Sequence, residues 1–403
     1  MTDLRAARRS ATSDTTGDLV ALRRALHRIP EVGLDLPVTQ AALEAELDGL
    51  PVRIVRGASL SSLAVIIDGA LPGPSVLLRS DMDALPVIEH SGAGFASSNG
   101  AMHACGHDLH MSALVGAIRL LCARREDVRG QVIAIFQPGE EGHGGAAAMI
   151  DEGVLEITGA TPIASYGIHV FSFLPTGVFT TKPGILMGGT VNLDIEVFGS
   201  GGHAARPHAA SNPILAGALI VQAIQSHIAQ RTRADSPLIA TVGAFQAGTA
   251  ANVIPDSATV RVSLRATTVP ALRELQSSLE ALAESTATAL GMHVSVTPGP
   301  DMYPTVNSAS DAVLVRSIVT ELFGPDRYED LVHPEMISED FSNFLDLTGG
   351  AFVFVGAQDA AASLPPETNH SARALFDDGV LVDAAELLAE LAIRRLRIES
   401  DAR

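Results

Sequence analysis

Continuous apolar runs separated by helical stretches constrain this chain more than any other feature. Residues 63–67 (LAVII), 76–78, 132–136 (VIAIF), 164–170 and 351–355 (AFVFV) are rich in β-branched and aliphatic side chains and lack strict polar alternation. Strands of that kind are buried on both faces, the condition of a parallel sheet covered by helices. Between them, residues 111–121 have helical spacing, with Leu114, Ile118 and Leu121 on one face. Residues 18–27 place Leu19, Leu22, Ala25 and Leu26 together, and Pro30 with Gly33 stops them. Further helices are predicted over 39–47 and 381–398. The expectation is an α/β fold with a doubly covered, largely parallel sheet.

The middle of the chain has another texture. Residues 190–198 (TVNLDIEVF) alternate as a half-exposed strand does, and 257–264 alternate likewise. With helices over 213–229 and 270–290 and strands over 239–245 and 293–296, the order is βαββαβ, that of a ferredoxin-like split sandwich. Gly188-Gly189 and Pro298-Gly299-Pro300 bracket it as hinges. The predicted organisation is therefore a domain of 1–186 and 301–403 with an α+β domain of 187–300 inserted. A length of 403 residues suits two or three domains.

Composition narrows the function. Lys and Arg total 27 against 46 Asp and Glu, a formal charge of −19 that repels phosphate backbones and anionic lipid. Neither nucleic acid nor a membrane surface is an expected partner. The N-terminal MTDLRAARRSATSDTTGD has no apolar stretch of the kind an export signal needs, and no apolar run reaches about 18 residues. A cytoplasmic location is expected. Cys105 and Cys122 are the only cysteines, too few for a disulfide framework, and Cys122 falls mid-helix as a core residue.

Chemistry concentrates in a few places. Residues 102–110 (MHACGHDLH) crowd three histidines and a cysteine ahead of a helix, which suggests a metal site. Cys105 and His107 are two apart, so an extended segment would point both to one side. The strand at 132–136 runs into QPGEE (137–141), that at 164–168 into His169, and that at 76–78 into Asp81-Met82-Asp83. In an open α/β sheet the reactive crevice lies at the carboxyl ends of the strands, so parallel strands would bring these motifs to one edge. Asn369-His370, following 351–355 after a loop, reaches the same edge.

Taken in order, MHACGHD, QPGEEG, GIHV, GGHAARPH and ANVIPD, with RALHRIPE (24–31) and SDMDALP, resemble the M20 metallopeptidase family. Within it they are most similar to the amidohydrolase branch of hippurate hydrolases, N-acyl-amino-acid amidohydrolases and auxin-conjugate hydrolases. The resemblance spans nearly the whole chain and implies the same two-domain fold, with the inserted domain as lid and dimer interface. It implies Cys105, His107, Glu141, His169 and His370 as metal ligands and Glu140 as general base. Five ligands exceed a closed mononuclear zinc site, so two divalent ions bridged by the thiolate are expected, with Zn²⁺, Mn²⁺, Co²⁺ and Ni²⁺ all compatible. Cys105, just before a helix, should ionise readily. Two details depart from the family pattern: Leu109 stands where Gly is common, and His370 is followed by SARALFDD rather than Pro and a terminal Glu.

The same resemblance extends to outlying residues. Asp83 would orient a ligand, with Asp81 less defined. Glu339 in SEDF is similar to an acidic active-site residue, and Arg265, ending an inserted-domain strand, would receive a substrate carboxylate. His203, with Asn252, would reach across a homodimer to stabilise the oxyanion. His103 and His110 are expected beside the ligands rather than among them. The implied reaction is hydrolysis of the amide bond of an N-acylated amino acid by a metal-activated water. A dipeptidase or an N-acetyl-amino-acid deacetylase is the alternative within this chemistry. A silent metal-binding protein is the alternative outside it, and it would have no use for Glu140.

Overall fold

The computed structural model describes residues 18–233, 236–360 and 365–401. The chain divides into two compact units. One comprises Met1–Leu186, Val306–Val332 and Asn343–Arg403, the other Met187–Thr305 and His333–Ser342. The segment His333–Ser342 of the second unit lies outside the 187–300 read from the sequence.

The first unit is built on an eight-stranded sheet. Its central strands run in the order Arg129–Gln137, Leu71–Asp81, Ser165–Phe171, Gly350–Gly356, and all neighbours among them are parallel. Both edges are different. Leu63–Asp68 pairs antiparallel with Arg129–Gln137, Arg53–Arg56 pairs antiparallel with Leu63–Asp68, and Phe179–Thr181 lies antiparallel to Gly350–Gly356. Tyr328–Asp330 closes the far edge, parallel to Phe179–Thr181. The central strands are buried on both faces. Val132, Ala134 and Phe136 join the main core, while Ile133 and Ile135 between them are equally enclosed on the other side. Continuous apolar runs express that double burial.

Helices His107–Ala123 and Leu381–Asp401 pack on each other and on Leu71–Asp81, filling the core with Leu114, Ile118, Leu387, Leu388 and Leu391. The first of these begins four residues before the predicted 111 because Gly106 takes φ 81° and turns the chain directly into the helix. A side chain at Gly106 would collide with Val170. The helix Ala309–Leu322 and the short strands Arg53–Arg56, Phe179–Thr181 and Tyr328–Asp330 were not anticipated. The strands have three or four residues each, below the length at which a pattern can be read.

The second unit is a four-stranded antiparallel sheet in the order Leu238–Ala247, Ser257–Ala266, Gly189–Phe198, His293–Met302. With helices Pro213–Arg231 and Val269–Ala289 this is the βαββαβ order of the ferredoxin-like sandwich. Val191, Leu193, Ile195 and Val197 face the helices, while Asn192, Asp194 and Glu196 are exposed. Both helices begin with a side-chain cap followed by proline: Asn212 accepts the Ile214 N–H and Thr268 that of Ala271. Among the described residues, no helix is long and apolar enough to cross a membrane.

Leu279 is fully enclosed in the core of this unit. Leu279→Ala should destabilise it by about 2–5 kcal/mol. Urea denaturation followed by circular dichroism measures this, and an unshifted midpoint would contradict the packing described.

Candidate metal centre

Three strands, the start of a helix and one loop build the site within the first unit. Strand Leu71–Asp81 ends in Asp81 and continues to Asp83, Arg129–Gln137 leads into Glu140 and Glu141, and His169 lies in Ser165–Phe171. His107 opens its helix, Cys105 sits two residues before it, and His370 arrives on the loop after Gly350–Gly356.

Cys105 Sγ is the hub. It lies 3.3 Å from His169 Nε2 and 3.2 Å from His370 Nε2, and His370 Nε2 lies 3.2 Å from Glu141 Oε1. Two donor triads share this sulfur, Cys105–His107–His169 and Cys105–Glu141–His370, each with its ligand atoms within 4.8 Å of one another. His107 Nε2 is buried with no hydrogen-bond partner, 4.0 Å from both Glu140 Oε2 and Glu141 Oε1. A tetrahedral zinc ion sets sulfur and nitrogen ligands about 3.6 Å apart, given its usual bond lengths. The observed spacings need open by only a few tenths of an ångström to receive a cation. A buried, unsatisfied imidazole nitrogen aimed into thiol, imidazole and carboxylate donors fits a metal ion and little else.

Each donor is aimed by a further contact. His107 Nδ1 donates to the Asp83 carbonyl at 2.8 Å, leaving Nε2 for the centre. His169 Nδ1 likewise donates to the Val170 carbonyl at 2.9 Å, leaving Nε2 facing Cys105. His110 has no ring nitrogen to spare. Its Nε2 accepts the Val170 N–H at 2.8 Å, so Nδ1 carries the proton and donates to Asp81 Oδ1 at 2.6 Å. Asp81 Oδ2 in turn takes Arg79 at 2.7 Å and lies 3.6 Å from His107 Nε2. His103 is buried one turn away with neither ring nitrogen hydrogen-bonded, and burial depresses its pKa to about 3.

The glutamate pair does not lie on an extended segment. Residues 140–143 form a turn, and so do 104 and 105, which corrects the strand geometry inferred for both ligand pairs. What separates the two glutamates is Asp83. Its Oδ1 accepts the Glu140 N–H at 3.0 Å and its Oδ2 the Glu141 N–H at 3.1 Å. One carboxylate thus pins both peptide units, and Glu141 is held towards His370 while Glu140 stays beside His107.

His370 is the only described non-glycine residue with positive φ, at 71°. Its N–H is held by the Ala104 carbonyl at 2.9 Å. Asn369 fastens the loop from the other side, donating to the Val170 carbonyl at 2.9 Å and accepting the Ser172 N–H at 3.1 Å. The sequence named Asn369 only as a neighbour; an Asn before a ligating His has no spacing signal of its own.

Electrostatics follow from burial. Burial opposes charge on His107, yet Asp81 and the Asp83 and Cys105 contacts raise it well above the usual imidazole value. Contacts to Cys105 and Glu141 raise His370 to about 10. Burial, then His110, hold His169 well below its ordinary value. The Cys105 thiol differs from expectation: burial and the Glu141 charge push it up and outweigh the His107 and His370 contacts that favour the thiolate. A cation bound among these donors would have to displace protons from His107, His370 and Cys105.

Beside the centre, Asp108 Oδ2 receives His27 Nδ1 at 2.7 Å and Arg23 Nε at 2.8 Å, and His27 Nε2 lies 3.2 Å from Glu89. None of these contacts was foreseen from the sequence.

Glu339, Arg265, His203 and Asn252 belong to the second unit. Arg265 Nη1 donates to the Met336 carbonyl at 2.9 Å, and Glu339 accepts the Phe341 N–H at 3.0 Å. His203 and Asn252 are joined by a two-stranded ribbon in which Val253 pairs with His203 and the Ala204 N–H donates to the Asn252 carbonyl at 3.1 Å. His203 Nδ1 accepts the Ala205 N–H at 3.0 Å, so the neutral ring carries its proton on Nε2. Cys122 is half-buried against the main core.

Comparison with known proteins identifies the family. Residues 77–394 match the model of peptidase family M20/M25/M40, and the chain belongs to that family. It is 33% identical over 94% of its length, and 86% of the relative's, to IAA-amino acid hydrolase ILR1-like 5 of Arabidopsis thaliana. It is 29% identical to the hippurate hydrolase of Campylobacter jejuni, covering 95% of this chain and 98% of that one. A crystal structure from Bacillus subtilis, described as a dinuclear metal binding peptidase from the M20 family, superposes with TM-score 0.79 at 28% identity, over 95% of this chain and 99% of that one. The protein is an enzyme, a hydrolase of the M20 family.

The His27–Asp108–Glu89 contacts carry a pH signature. Burial disfavours charge on His27, but Asp108 and Glu89 outweigh it and raise the pKa from 6.5 to about 9. A raised folded-state pKa gives stability that is complete below pH 6.5 and disappears as pH climbs through 9. The melting-temperature deficit of His27→Gln should therefore shrink between pH 6.5 and 9.5. A deficit independent of pH would show that His27 is not charged in the fold.

Proposed function

We propose that this chain hydrolyses the amide bond of N-acylated amino acids at a centre of two divalent metal ions. The observation that carries the reading is the pair of donor triads sharing Cys105 Sγ, with a further buried carboxylate, Glu140, beside them. Metal ions bound there supply Lewis acidity, making water a competent nucleophile near neutral pH and polarising the amide carbonyl. Cys105, His107, Glu141, His169 and His370 hold them. Glu140 accepts a proton from the attacking water and delivers it to the leaving nitrogen as the C–N bond breaks. Asp83 keeps base and ligand apart through the two N–H groups that its carboxylate accepts.

The acyl amino acid reading draws on the relatives, which are hydrolases of an amino-acid conjugate and of hippurate by name. Arg265 supports it, because its half-buried guanidinium meets the Met336 carbonyl and, among the described residues, pairs with no carboxylate. It would take the substrate carboxylate, with Glu339 as a further polar group of the site. A cytoplasmic homodimer completes the reading, with the second unit as lid and dimer surface. Leu238–Ala247 is an edge strand, and exposed Leu215, Leu219 and Phe245 lie on it or on the helix beside it. His203, its proton on Nε2, would donate to the oxyanion of the partner's substrate, with Asn252 alongside.

A panel of benzoyl-, indolylacetyl- and acetyl-amino acids and free dipeptides, assayed on metal-reconstituted protein, tests the substrate class. Turnover of the acylated amino acids is expected, abolished by chelator and restored by Zn²⁺, Mn²⁺ or Co²⁺. Activity on dipeptides alone would move the assignment to a dipeptidase. Glu140→Gln should keep its metal content and lower turnover by about 10²–10⁴-fold, whereas Glu141→Gln should lose metal. The reverse pattern in metal analysis would exchange their roles.

Mixing Glu140→Ala with His203→Ala protein tests the partner's role. Random dimerisation makes about half the dimers mixed, and each mixed dimer then has one intact site. Recovery of about a quarter of wild-type activity is expected. No recovery despite confirmed subunit exchange would place His203 in its own subunit's site.

A further inference from the structure

Arg23 is 2% exposed and lies on the helix over residues 18–27, remote in sequence from every candidate ligand. Its guanidinium lies between two carboxylates on different segments as a pair of buried ion pairs, with neither Nε nor Nη1 making a hydrogen bond. Nε is 2.8 Å from Asp108 Oδ2, and Nη1 is 3.2 Å from Asp378 Oδ1. Asp108 directly follows His107, in the first turn of the helix that His107 opens. Asp378 ends the stretch that starts at His370 and leads into the closing helix. The rest of the surroundings brace the same junction. Arg23 Cζ lies 4.6 Å above the Phe95 ring, and Arg24 Nη2 takes Asp378 Oδ2 at 2.8 Å. The His90 N–H donates at 2.7 Å to the Ala372 carbonyl, two residues past His370.

We propose that Arg23 is a positioning residue for the metal centre, setting the distance between the His107 segment and the His370 segment by bridging Asp108 and Asp378. The proposal rests on the metal-centre reading. The two donor triads draw on those two segments, Cys105 and His107 on one and His370 on the other, so the spacing across the shared sulfur depends on how they are tied. The His370 N–H to the Ala104 carbonyl at 2.9 Å joins the two segments at one point only, and Arg23 ties them at a second, between Asp108 and Asp378. Arginine suits the task because its charge is delocalised over a plane wide enough to face both carboxylates at once, whereas a lysine ammonium is a single point of charge. Such a buried charge cluster adds little net stability compared with apolar packing, which leaves geometry as its contribution.

The test measures binding of Co²⁺ by chelator competition, together with the visible and thiolate-to-cobalt absorption of the loaded protein. Arg23→Lys, which keeps the charge and loses the plane, should bind Co²⁺ about 10–100-fold more weakly, the usual effect of disturbing an outer contact. Its absorption at saturating metal should also differ from wild type. Asp378→Asn, at a side chain 15% exposed, should shift both readings the same way and serves if Arg23→Lys does not fold. Leu22→Ala, in the same helix, should lower the melting temperature of the metal-free protein and leave affinity and spectrum unchanged. Wild-type affinity and spectrum in Arg23→Lys would overturn the proposal, as would equal weakening by Leu22→Ala. Failure of wild-type protein to bind Co²⁺ at all would instead overturn the metal reading, and this proposal with it.

Discussion

A charge buried at the edge of a parallel sheet must be answered by an opposite charge or by a hydrogen-bond donor, and this requirement organises the first unit. An uncompensated carboxylate there would take up a proton and lose its use. Asp81 is answered by Arg79 and His110, Asp108 by Arg23 and His27, Asp83 by two backbone N–H groups, and Glu141 by His370. Each answer also fixes an orientation. The centre is therefore assembled before any ion arrives, because the contacts that make its charges tolerable are the contacts that aim its donors.

Asp83 shows how few atoms this takes. Two oxygens and a carbonyl of one residue hold Glu140, Glu141 and His107. The turn at 140–143 would otherwise be free to present either glutamate to the sulfur, since both carboxylates lie 4.0 Å from His107. In the proposed mechanism base and ligand are chemically identical side chains, and the peptide geometry that Asp83 imposes is what would tell them apart.

The fold was legible where burial leaves a trace in composition. The strands at 63–67, 132–136 and 351–355 and the βαββαβ order of the middle could be read because double burial and half burial select different residues. Short edge strands such as Phe179–Thr181 carry no such trace. At the site, the candidate ligands were legible as residue types crowded at strand ends, but their local geometry was not. Extended spacing was assumed for Cys105 and His107, yet the positive φ of Gly106 breaks the segment between them. The Cys105 thiol was expected to ionise with ease from its place before a helix, whereas its enclosure dominates. Asn369, Arg79 and the Arg23–Asp108–Asp378 bridge act through contacts 58 to 355 positions apart in sequence, and no local pattern announces them.

The backbone of His370 stands in a conformation that costs a non-glycine residue on the order of 1–3 kcal/mol. The Ala104 carbonyl and the clasp of Asn369 hold it there. Its side chain is also 55% exposed, whereas that of His107 is 1% exposed. Of the five candidate donors it is thus the most exposed and the one with a positive φ. If these residues hold the ions as proposed, exchange with solution would begin with this arm swinging outward, and the lifetime of the loaded centre would be set by the loop that carries His370 rather than by the deeply enclosed Cys105.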